Sequence, residues 1–102
     1  MTVRAGEGDW TTISPGVEKK LLFLDRELGE ESYLLRFAPG GHLPAHGHTQ
    51  KEECVMLEGE VVIGETSYRA GDYHLVFAGM GHLPLASPTG ALVFVRSELH
   101  GG

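Results

Sequence analysis

Three imidazoles and two carboxylates crowd into the fourteen residues Gly40 to Glu53, which carry His42, His46, His48, Glu52 and Glu53. Side chains of an extended segment alternate faces, so His46 and His48 point the same way, about 7 Å apart along the chain, and can converge on one ion. In a helix they would diverge. Glu52 can return to the same ion if Thr49 to Lys51 form a turn or bulge. Two borderline nitrogens beside a hard oxygen suit a divalent transition metal. His-x-His also recurs by chance, and the competing reading of the pair is two solvated loop histidines.

The neighbouring residues divide by parity. If Glu52 points inward, Cys54 and Met56 follow it, while Glu53, Val55 and Leu57 face the other side. Cys54 is read first as a small buried hydrophobe and second as a thiol able to tune or sense a redox centre. His42 shares the parity of His46 and His48, but Pro44 interrupts the strand. His74, in the alternating Tyr73 to Phe77 segment, is read as outward-facing, and His100 as part of a frayed tail. Trp10 and Tyr33 are read as packing residues. No Gly-x-Ser-x-Gly nucleophile motif occurs, and no residue identifies itself as a general acid or base, so the catalytic residues are unknown.

The elements that must position these groups are short strands. Fifteen glycines and five prolines punctuate the chain, at Pro15-Gly16, Pro39-Gly40-Gly41, Gly59, Gly64, Gly71, Gly79, Gly81 and Pro88 to Gly90 among others. Between them lie strand-length segments: Leu21 to Leu24, Ser32 to Phe37, Glu53 to Leu57, Val61 to Ile63, Tyr73 to Phe77 and Ala91 to Val95. Val61 to Tyr68 reads as a hairpin turning at Gly64. Val17, Leu21, Leu24 and Leu28 also fit a helix after Ser14-Pro15. The preferred reading is a strand buried on both faces, with Ser32 to Phe37 as its hairpin partner. The pattern predicts an all-β sandwich or barrel.

At 102 residues the chain has room for one domain. A formal charge of −6 disfavours nucleic acid and anionic membrane surfaces as partners. The longest apolar run, Ala91 to Val95, is far shorter than the roughly 20 residues of a bilayer span. The single cysteine excludes an internal disulfide and agrees with a reducing compartment. A soluble, cytoplasmic protein is expected.

These residues resemble the cupin superfamily. Its first motif runs Gly, five residues, His-x-His, three or four residues, Glu, six residues, Gly, and Gly40, His46, His48, Glu52 and Gly59 fall on it. Its second motif is met by Gly71, Gly79 and His82, with Phe77 in place of the proline and Ala86 in place of the asparagine. The resemblance implies a small antiparallel double-stranded β-helix, a jelly-roll barrel, as one domain over 1–102 with its motifs in 40–86 and frayed ends at 1–9 and 98–102. It further implies one divalent transition metal (Zn, Fe, Mn or Ni) held by His46, His48, Glu52 and His82.

The segments around Trp10, Ser14 to Val17, Leu34 to Gly40 and Glu52 to Gly59 resemble one subgroup, the cupin domain of zinc-dependent anti-sigma factors and related dioxygenase-like cupins. That likeness implies a metal-dependent, dioxygenase-like enzyme acting on a small organic molecule, or else a non-catalytic metal-dependent sensor or regulatory module. A bare scaffold without metal is the third reading. The chain has neither the length nor the cysteines for the helical zinc-binding domain that contacts the sigma factor, so direct sigma-factor inhibition is not expected. An open sheet edge and an apolar strand at Leu92 to Val95 predict a homodimer.

Overall fold

The computed structural model describes residues 1–45 and 50–99. Nine strands are found there: β1 (Thr11–Ser14), β2 (Val17–Asp25), β3 (Glu30–Phe37), β4 (His42–Leu43), β5 (Glu52–Ile63), β6 (Thr66–Arg69), β7 (Tyr73–Val76), β8 (Leu85–Ala86) and β9 (Ala91–Glu98). All strand pairs are antiparallel, in the order β1-β2-β3-β9-β5-β8-β4, with β6 and β7 also paired to β5. The all-β jelly-roll expectation holds. Among the described residues no helix is long and apolar enough to cross a membrane.

β5 is the spine of the barrel. Its first half pairs with β9 and β7, and its second half pairs with β6 and β8. Cys54 and Met56 are buried in the first half and Val61 and Ile63 in the second, so the inward parity changes from even to odd along one strand. A bulge supplies the missing residue: Met56 faces Val93 and Glu58 faces Leu92, leaving Leu57 as the extra residue. Just beyond, Gly59 has φ 76°, and a Cβ on it would overlap the Gly90 carbonyl oxygen. Only glycine lets the two backbones approach at this corner.

The core is filled from both sheets by Val17, Leu35, Phe37, Met56, Val61 and Val93 with their neighbours. The hairpin expected at Gly64 is present: Ile63 pairs with Thr66 across Gly64-Glu65, with Gly64 at φ 63°. On the outer side of β2, Lys20 is 1% exposed, and its ammonium donates to the Arg4 and Ala5 carbonyls at 3.1 Å each. This ties the amino-terminal segment down across the barrel wall.

The strand preferred over a helix for this segment is present as β2, with β3 as its hairpin partner and a bulge between Leu21 and Phe23. Two details depart from the sequence reading. β2 is not buried on both faces, because Leu21 and Phe23 remain 47% and 42% exposed at the β1–β2 end of the sheet. The carboxy-terminal strand is no edge: β9 lies between β3 and β5 with both sides paired. Pairing with a second copy through Leu92 to Val95 is therefore ruled out, and β1 and β4 end the strand order among the described residues.

Candidate functional site

The inward face of β5 begins with Glu52, Cys54 and Met56, as alternation predicts. Glu53 points outward, where its carboxylate accepts a 2.6 Å hydrogen bond from the Tyr73 hydroxyl and pairs with Arg96. That hydrogen bond above all, with help from Arg96 and Lys51, holds Glu53 below the usual glutamate range against the opposing effect of desolvation.

Glu52, Cys54, Tyr33, Lys19 and His82 meet around a cavity of about 190 Å³ inside the barrel. They come from four places. β5 supplies Glu52 and Cys54, β3 supplies Tyr33, β2 supplies Lys19, and the loop before β8 supplies His82. The His82 ring is set by a 2.8 Å contact between Nδ1 and the Leu83 carbonyl oxygen. Because a carbonyl can only accept, this contact requires the proton on Nδ1, and the lone pair of a neutral ring is then on Nε2.

Of the four residues assigned to a metal, Glu52 and His82 thus line one cavity, while His46 and His48 lie outside the described residues. Among the described residues, no group of three or more His, Cys, Asp or Glu side chains is close enough to hold a metal ion.

The other cavity residues have defined states. Burial, reinforced by the Glu52 charge, pushes the Tyr33 phenol far above its usual range, so Tyr33 remains a neutral hydrogen-bonding group. Its ring lies 4.1 Å from the Lys19 ammonium, which also pairs with Glu31 at 3.4 Å. Burial likewise pushes the Cys54 thiol up, and its sulfur sits 3.8 Å from Glu52 Oε1. At 4% exposure Cys54 behaves as the small buried hydrophobe expected first.

Two aromatic expectations divide. Trp10 is a packing residue on the outer surface, with the Arg36 guanidinium 3.9 Å from its ring centroid. Tyr33 belongs to the cavity and was undervalued by the sequence reading, since only its pairing with Leu21 and Val95 shows which face it takes. His42 is exposed on β4.

The reading of His74 as outward-facing is overturned. His74 stands directly opposite the buried Cys54 in the β5–β7 pair, and paired residues share a face. Its ring packs edge-on against Tyr68, with centroids 5.0 Å apart and planes at 62°. Desolvation lowers its pKa, the nearby Glu52 charge opposes that, and His82 adds to the lowering. His74 and Tyr68 line a second pocket, of about 450 Å³, and His82 lines both this pocket and the inner cavity.

The ChrR cupin-like domain family matches residues 1–99. Among solved structures, a predicted oxalate decarboxylase from Thermotoga maritima is 22% identical, with a TM-score of 0.85, covering 98% of this chain and 100% of that one. An acetylacetone dioxygenase from Acinetobacter johnsonii is 16% identical with a TM-score of 0.84, covering 96% of this chain and 73% of that one. A chain from the complex of Rhodobacter sphaeroides SigE with the anti-sigma ChrR is 24% identical with a TM-score of 0.74, and the match covers 93% of this chain and 50% of that one. At these identities the structures establish a shared fold. Among curated proteins none matches the sequence. The match over residues 1–99, on a barrel of this topology, means that the chain belongs to the ChrR cupin-like domain family.

Proposed function

We propose that the barrel binds one divalent transition metal, Zn, Fe, Mn or Ni, through His46, His48, Glu52 and His82, and that the protein is a dioxygenase-like enzyme acting on a small organic molecule. The observation that carries this reading is the meeting of Glu52 and His82, from separate segments, at one interior cavity. A carboxylate oxygen and an imidazole nitrogen are donors that such a metal accepts. When bound, the ion would supply Lewis-acid or redox chemistry.

The chain's own residues set the surroundings. Tyr33 offers a neutral phenol to an oxygen atom of a bound molecule. Leu35, Leu85 and Val93 line the same cavity and exclude bulk water. The solved acetylacetone dioxygenase of the same fold lends this reading support.

A second reading is a metal-dependent sensor or regulatory module. It is favoured by the family match and by the likeness to the complex of SigE with anti-sigma ChrR. Titration of demetallated protein with Fe(II), Mn(II), Ni(II) and Zn(II), followed by oxygen uptake with small diketones and aromatic ketones, separates the two. Metal-dependent uptake supports the enzyme. Tight metal binding without uptake supports the sensor.

The reading includes a cytoplasmic homodimer joined at the unpaired edge of β1, where Ile13 is 46% exposed. Sedimentation at the mass of one chain would refute the dimer.

A further inference from the structure

We propose that the pocket between β6, β7 and the loop 77–83 binds an uncharged, largely apolar molecule through one hydrogen bond to His74, which makes His74 a specificity-determining residue. The proposal names the ligand class for the small-molecule reading above, and it rests on that reading only for the fate of the ligand once bound.

Its volume of about 450 Å³ lies within the roughly 300 to 1,000 Å³ of small-molecule sites. None of its described lining residues is Asp, Glu, Lys or Arg. A carboxylate or an ammonium ion entering it would lose water and meet no opposite charge from these side chains, so ions and ketone are compared on EDTA-treated protein, where no cation sits at His82. The chain's formal charge of −6 further disfavours anions.

The mouth is apolar. Phe77, Met80 and Leu83 are 60%, 58% and 59% exposed around it, more than isolated surface residues require. The polar floor is small and held in place. His74 is directed inward by its pairing with Cys54, and Tyr68 fixes the ring from its edge. Among the described residues no hydrogen bond engages the His74 ring nitrogens. The His74 imidazole selects a ligand with a carbonyl or hydroxyl oxygen, because an analogue lacking that oxygen would leave it desolvated and unmatched; the other polar groups of the lining are the Thr66 and Tyr68 hydroxyls and the His82 ring. A ligand seated there also lies against His82, the shared wall of the inner cavity.

The test is titration of the full-length protein with cyclohexanone, cyclohexanecarboxylate and cyclohexylammonium, followed by amide NMR shifts. It is run on protein as purified and again after EDTA. The expected result is saturable binding of the ketone in both samples, with the largest shifts at Tyr68, His74 and Leu83, and at least tenfold weaker binding of both ions in the EDTA-treated sample. His74→Phe keeps the ring and should weaken ketone binding at least tenfold, His74→Gln should restore part of it, and Leu83→Glu, at the exposed rim, should weaken it as well. Ketone affinity unchanged in His74→Phe and Leu83→Glu, carboxylate binding as tight as ketone, or shifts centred elsewhere would overturn the proposal. Elemental analysis of the same samples tests the metal separately: absence of metal with intact ketone binding refutes the metal reading and leaves the pocket standing.

Discussion

Cys54 and His74 face each other across the β5–β7 pair, one beside Glu52 on the cavity wall and the other on the floor of the adjoining pocket. The two spaces are therefore parts of one barrel interior, reached from β5 on one side and from β7 on the other. Cys54, buried and held protonated, should be inert. Native protein should react with a thiol reagent only at the rate at which it unfolds, and Cys54→Ala should cost about 1 kcal/mol in denaturant titration. Rapid native labelling would place the thiol at the surface.

The β5 corner should tolerate no side chain. Gly59→Ala adds a Cβ that collides with the Gly90 carbonyl at positive φ, and should destabilise by about 3 kcal/mol or more. Gly29 also has positive φ, yet nothing lies within 4 Å of its added Cβ, so Gly29→Ala should cost only about 1 to 2 kcal/mol. Equal losses in thermal denaturation would show that conformation rather than contact governs both sites.

Lys20 should hold the amino-terminal segment. Replacing it with Met preserves most of the buried volume and removes both hydrogen bonds to the Arg4 and Ala5 carbonyls. Trypsin cleavage after Arg4 should quicken by about tenfold, as expected from losing about 1.4 kcal/mol of charge-assisted bonding. An unchanged cleavage rate would mean that the segment is anchored elsewhere.

The Tyr73–Glu53 pair makes a pH prediction. The folded carboxyl pKa is lowered, so its contribution to stability is present above the unfolded glutamate pKa of about 4.3 and is lost as pH falls through the lower folded value. In an NMR titration Tyr73→Phe should move the Glu53 midpoint upward, toward the ordinary value. No movement would assign the lowering to Arg96 and Lys51 instead.

The sequence reading succeeded where physics is local. Glycine at Gly64 announced a hairpin, and alternation placed Glu52, Cys54 and Met56 on one face. It failed where a partner strand decides. His74 alternates equally well in either sense until its pairing with Cys54 fixes the face. The apolar run Leu21 to Leu24 conceals a bulge, and the last strand resembles an edge until β3 and β5 are both found beside it. At the cavity, motif spacing brought forward Glu52 and His82, together with His46 and His48, as metal ligands, a role that metal content tests, whereas Tyr33 became a cavity residue only through long-range register.

The central claim is a single ion shared by residues from two segments, and metal content per chain measures it most directly. Protein purified without chelator or affinity tag should carry about one equivalent of transition metal. His46→Ala, His48→Ala, Glu52→Ala and His82→Ala should each lose most of it, while His42→Ala and His74→Phe should retain it. Wild-type protein without metal, or equal content in all six variants, would contradict the account.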